Sequence, residues 1–206
     1  MDKEIRAFTF DVMAEQDEDH GNHLTGRPIV YESRTNLGWY DEIIADGALE
    51  ETDLRDVRFL VNHNTDMIPL ARSRNNNDNS TMKLEVVPGQ GMDIRVDLDT
   101  DYNTESRNLY SAVKRGDISG MSFMFSVDGD KWDDIESDHP TRTITKIGRV
   151  FEVSAVTFPA YSATSITARG LSDALESAKE SLESAKAAKR EIERKKQKIK
   201  ILTEVL

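Results

Sequence analysis

The chain has 206 residues, enough for one domain plus an appendage, and a net charge of −11. That charge argues against nucleic acid as the main partner, because phosphate binding needs concentrated Lys and Arg. The absence of cysteine excludes disulfides, thiolate metal sites and a cysteine nucleophile, and it fits a reducing compartment. No run approaches the roughly 18 apolar residues that span a bilayer. The opening Met1–Phe8 lacks the basic-then-apolar order of a signal peptide, so no membrane partner is expected.

In chain order, Ile5–Val12 alternates loosely and predicts a first strand. Glu15–His23 is polar and acidic and reads as a loop. Leu24–Tyr31 predicts a strand that Gly26 and Pro28 make irregular or an edge. A polar turn region, Ser33–Tyr40, precedes a short strand in Asp41–Leu49. Val57–Asn64 is an apolar strand ending in the polar cluster Asn62-His63-Asn64, and Pro69–Arg72 resumes after a short loop. Met82–Val87 and Met92–Leu98 predict a hairpin across Pro88-Gly89-Gln90-Gly91. Leu109, Ala112 and Val113 share one face of a helix over Thr104–Arg115, with Thr104 a candidate cap and Gly116 a candidate stop.

After the turn Arg115-Gly116-Asp117 comes a strand in Met121–Val127. Met121, Phe123, Phe125 and Val127 fall on one face, Ser122, Met124 and Ser126 on the other. The first face builds core; the second holds a serine just after the turn. Asp128–Thr141 reads as a charged loop, and Arg142–Ile147 and Arg149–Phe158 as two further strands, the second stopped by Pro159. About eight strands and one clear helix make the body mainly β with helices (α+β), and suit a closed or nearly closed barrel with helices outside.

From Gly170 the pattern changes. Leu171, Leu175, Ala178, Leu182, Ala185, Ile192, Ile199 and Leu206 recur at alternating spacings of four and three, with Lys189, Lys196 and Thr203 at the remaining inward positions. This predicts an amphipathic C-terminal helix of nearly heptad period. Residues 170–206 carry nine Lys/Arg against seven Asp/Glu, and residues 1–169 carry 18 against 31. An acidic body at 1–169 and a Lys-rich helical tail at 170–206 suggest two parts with different jobs, the tail a candidate for coiled-coil self-association or simply a helix packed on the body.

Three residues carry candidate chemistry. Ser122 sits on a rigid strand just past a turn, although Ser119 and Ser126 compete with it. Of four histidines, His63 alone follows a strong apolar strand; an imidazole is the base a serine nucleophile needs near neutrality. Glu152 is the one charge in the apolar run Val150–Phe158, on the face of Val150, Ser154, Val156 and Phe158. A buried carboxylate needs a partner, and a histidine N–H is a natural one; an edge glutamate facing water or Arg149 is the other reading. His20 and His23 in their acidic surroundings form a weak metal candidate whose spacing is not that of a helical zinc motif.

Four segments in order then resemble one family. Gly38–Leu49, Phe59–Asn64 with Pro69–Arg72, Arg115–Phe123, and Phe151–Tyr161 are similar to segments of the tailed-phage prohead (head maturation) serine proteases, over roughly residues 5–168. The resemblance implies a fold like the herpesvirus assembly proteases, a β-barrel surrounded by helices. It implies a serine endopeptidase that needs no cofactor and cuts scaffold and capsid-protein segments, and commonly itself, inside the immature capsid in the host cytoplasm. Carried over by position, Ser122 is the nucleophile and His63 the base. Glu152 is the third member; the herpesvirus enzymes use a second histidine there, and His139, in the loop before, is the weaker alternative. Ala71 departs from the glycine found in many relatives. Oxyanion-hole donors near Arg72 or Gly148-Arg149, and self-cleavage near residues 161–172, are further expectations. A catalytically idle assembly or scaffolding protein on the same fold is the alternative function.

Overall fold

The computed structural model describes residues 4–8, 12–18, 21–157 and 168–204. Among them run eleven strands and two helices: β1 (Glu4–Phe8), β2 (Met13–Asp17), β3 (Gly21–Val30), β4 (Thr35–Asn36), β5 (Asp41–Ile44), β6 (Asp56–Val61), β7 (Ala71–Arg74), β8 (Met82–Val87), β9 (Gly91–Asp97), α1 (Thr104–Lys114), β10 (Gly120–Asp133), β11 (Thr141–Val156) and α2 (Ala168–Glu204).

The strands form two sheets. Four make the order β2-β3-β9-β8; seven make β1-β10-β11-β5-β4, with β6 beside β11 and β7 beside β6. The expected barrel is not traced: no closed sheet is formed among the described residues. The long strand β11 organises the larger sheet. One side pairs with β10 throughout. The other pairs in parallel first with β5, at residues 141–144, and then with β6, at residues 152–155. The apolar β11 residues Val150, Val153 and Ala155 have no exposure.

The core combines Phe59 from β6, Met121, Phe123 and Phe125 from β10, Leu24 and Ile29 from β3, and Met92 and Val96 from β9. Each large apolar side chain so buried contributes about 1.5–3 kcal/mol. Phe123 and Phe125, two apart on β10, stack at 4.7 Å between ring centroids. Their shared face is the one the alternation of Met121–Val127 predicts.

Several boundaries differ from the sequence reading. Glu15–Asp17 and Gly21–His23, expected in a loop, pair with each other as parts of β2 and β3. The β10–β11 ribbon runs on through Asp128–Asp133, and what read as two strands split at Gly148 is one strand whose ladder shifts register around Val127 and Gly129. The interruption at Gly26 and Pro28 is a register shift in β3. Gly91 packs against it so closely that a Cβ there would lie 1.9 Å from the Ile29 carbonyl oxygen. Helix α1 is capped by Asn103, not Thr104, through bonds from the Glu105 and Ser106 amides; Gly116, at φ +78°, ends it.

The predicted C-terminal helix is present as α2. Ala178 and Leu182 are buried against the body, while Ile192 and Ile199 stay more than half exposed. Ser177 donates to Glu4 at 3.1 Å and Ser181 to Asp130 at 2.8 Å. Glu4 belongs to a buried ionic cluster with Arg6, Glu42 and Arg142, each 4% exposed or less, and Asp130 borders it through Arg142. Arg6 is paired with Glu42 and lies 2.5 Å from Glu4. Arg142 lies 2.9 Å from Glu4, 3.3 Å from Glu42 and 2.6 Å from Asp130. The cluster joins β1, β5, β10, β11 and α2. Burial works against the charge on Glu4, yet Arg6 and Arg142 hold its carboxyl below the usual range. Burial also pushes the neighbouring Tyr40 phenol up to about 12.

Candidate functional site

The site forms where β6 ends beside β11. Parallel pairing sets Arg58 opposite Glu152 and Leu60 opposite Ser154. After Val61 the backbone takes two successive left-handed residues, Asn62 at φ +52° and His63 at φ +55°. Few residues other than glycine adopt that region, Asn and His among the more tolerant. The turn folds the imidazole back over β11, where His63 Nδ1 lies 2.5 Å from Glu152 Oε1. Both side chains are buried, at 7% and 4% exposure. The other carboxylate oxygen accepts the Ser154 hydroxyl at 2.6 Å, and Ser154 Oγ in turn accepts the His63 backbone N–H at 3.1 Å. Glu152 is therefore the buried, partnered carboxylate, not the edge glutamate facing Arg149.

Ser122 stands directly across the β10–β11 ladder from Ser154. Residues so paired share a face, with Cβ atoms about 4.5–5.5 Å apart. Ser122, Ser154, Glu152 and His63 thus gather on one face of the sheet. The competing Ser126 pairs with Arg149, about 13 Å further along β10.

One expectation needs correction. The alternation of β10 put Ser122 on the face opposite the core residues Met121, Phe123 and Phe125, yet its side chain has no exposure either. Strand β1 lies alongside β10, and Ser122 Oγ donates to the Arg6 carbonyl at 2.7 Å. His63 Nε2, the nitrogen that a nucleophile's proton must reach, is buried and has no hydrogen-bond partner among the described residues.

The other candidates lie elsewhere. His139 Nε2 sits 2.9 Å from Asp41 at the opposite end of β11. His23 is buried on β3, with Nε2 3.2 Å from Glu15, and His20 lies outside the described residues. No group of three or more metal-ligating side chains gathers among those described. The Arg72 amide donates to Thr81 Oγ1 at 2.9 Å, and Arg149 pairs across the ladder with Ser126. The expected self-cleavage segment, 161–172, falls largely outside the described residues.

Ser154 is the feature that sequence reading passed over. Its place two residues after Glu152 put it on the right face, but nothing local tells a bridging hydroxyl from a filler.

A buried serine beside a carboxylate-bound imidazole is the equipment of nucleophilic acyl transfer. A family model described as caudovirus prohead serine protease matches residues 8–181, and the chain belongs to that family. The match runs past Gly170 into α2, as far as the segment that docks on the body. No curated protein and no solved structure matches the chain.

Proposed function

We propose that this chain is a serine endopeptidase of phage head maturation, with Ser122 as nucleophile, His63 as general base and Glu152 as the carboxylate that holds the imidazole. It acts inside the prohead in the host cytoplasm on scaffold and capsid-protein segments, and on itself. Residues 1–169 form the protease body; residues 170–206 form a tail through which copies associate. Family membership supports the protease role. The observation that carries the residue roles is the 2.5 Å contact between His63 Nδ1 and Glu152, which directs Nε2 to the reaction.

Before attack, the Ser122 hydroxyl turns from the Arg6 carbonyl toward His63 Nε2. Its oxygen then bonds to the scissile carbonyl carbon while its proton passes to Nε2. The imidazolium so formed is stabilised by Glu152, and it returns the proton to the leaving amine as the peptide C–N bond breaks. Water hydrolyses the acyl-enzyme by the reverse proton route. An oxyanion hole contributes a further factor of about 10²–10³.

The test is co-expression with the capsid precursor, read by mass spectrometry. Ser122→Ala should fold normally and leave the precursor uncut. Normal processing by that variant removes Ser122 from the role. A chain that is folded, associates with the precursor and cuts nothing even as wild type is the assembly protein of the alternative reading.

A further inference from the structure

We infer that Ser154 is a positioning residue for the acyl transfer, acting at once on the carboxylate of Glu152 and on the backbone of His63. The inference rests on the roles proposed for Ser122, His63 and Glu152. A serine hydroxyl has one proton and two acceptor lone pairs. At Ser154 the proton goes to Glu152 Oε2 at 2.6 Å, and a lone pair takes the His63 N–H at 3.1 Å. No other polarity is open, since a carboxylate accepts and an amide donates.

Two consequences follow for the imidazole. The Glu152 carboxylate is tied at both oxygens, by Ser154 at one and His63 at the other, so it cannot rotate away from Nδ1. The left-handed turn that aims the ring is tied as well. Such a backbone persists only when its surroundings over-determine it. Here the Asn62 amide donates to the Ala155 carbonyl at 3.0 Å. The Asn62 side chain exchanges bonds with Thr157 at 2.9 and 3.1 Å, and Ser154 holds His63 itself. Of these anchors only Ser154 touches both the backbone of the base and its carboxylate. With no exposure, it has no water to replace either bond.

The experiment follows covalent labelling of the full-length chain by a fluorophosphonate, which reports activation of Ser122 without a known cleavage sequence. The saturable rate is split into the limiting rate and the half-saturating probe concentration. Ser154→Ala should lower the limiting rate by about tenfold or more, the factor for losing a hydrogen bond to a charged group, with half-saturation within about twofold. Combined with Glu152→Gln it should add little, within about twofold of Glu152→Gln alone, because both act through one imidazole. A side chain that merely filled space would multiply with Glu152→Gln instead. Thermal melts check folding. If Ser154→Ala is unfolded at the assay temperature, Ser154→Cys, nearly isosteric with a weaker donor, takes its place and should still lose several-fold. Labelling of the variant at Ser122 within about twofold of wild type, or losses that multiply, overturns the positioning role alone. A wild-type chain not labelled at Ser122 overturns the catalytic reading, and this role with it.

Discussion

Replacing Glu152 with Gln tests the electrostatics of the site at a single atom's cost. The amide matches the carboxylate in size and its oxygen can still accept the Nδ1–H hydrogen bond, but it carries no charge, and its NH2 replaces the oxygen that accepts from Ser154. The loss of the charge is felt when His63 becomes positive during proton transfer. With charge centres about 4 Å apart and an effective dielectric near 20, the lost attraction is about 4 kcal/mol, which corresponds to roughly 10³ in rate. The geometry supports a low-exposure value for the pair, since the two side chains are 7% and 4% exposed. The assay compares the rate of Ser122 labelling and of precursor cleavage in both chains, with thermal melts to confirm that folding is retained. A Glu152→Gln chain working within about fivefold of wild type would refute the calculation and remove Glu152 from the mechanism.

Arg142→Met strips the buried carboxylates Glu4 and Glu42 of one cation and should cost about 3–5 kcal/mol; an unchanged urea midpoint counts against the cluster as a fastener. Asn62→Ala loses the exchange with Thr157 and the left-handed tolerance of Asn, about 1–2 kcal/mol together. Asn62→Gly should recover only the backbone share, and equal stability of the two variants contradicts this. Glu4 titrates below its ordinary value of 4.5 in the folded chain, so its contribution is present above that value and is lost as pH falls through the lowered one. Urea midpoints should therefore fall more steeply with acid for wild type than for Glu4→Gln, and parallel curves reject the assignment.

The parts of the fold that were legible in sequence are those where packing imposes a period. The alternation of Met121–Val127 names the core face of β10, although Ser122 and Ser126 on its other face are buried too, and Leu109, Ala112 and Val113 mark the inner face of α1; of these apolar residues all but the partly covered Val127 and Ala112 are buried. Strand β2 was illegible because it is an edge strand whose residues are half-covered or exposed, so no apolar alternation is selected. The distal β10–β11 ribbon failed for the same reason: Asp128–Asp133 is polar, and its strand character comes from pairing with residues 141–147. The barrel expectation came from a strand count, which does not contain the choice of partners.

At the site, the residue types were readable but the contacts were not. His63 and Glu152 are 89 positions apart and meet through the parallel pairing of β6 with β11, which no local pattern encodes. The burial of Ser122 was missed because the covering strand, β1, is over a hundred residues away: the Arg6 carbonyl it supplies is 116 positions from the serine. The buried cluster of Glu4, Arg6, Glu42 and Arg142 was likewise invisible, since each charge alone reads as surface.

The most direct measurement is the site of covalent labelling by a serine-directed fluorophosphonate on the full-length chain, mapped by peptide mass spectrometry. One adduct is expected, on Ser122, and it should disappear when His63 is replaced by Ala in a chain that still folds. An adduct on Ser119, Ser126 or Ser154 instead, or labelling of Ser122 that survives loss of His63, would contradict this.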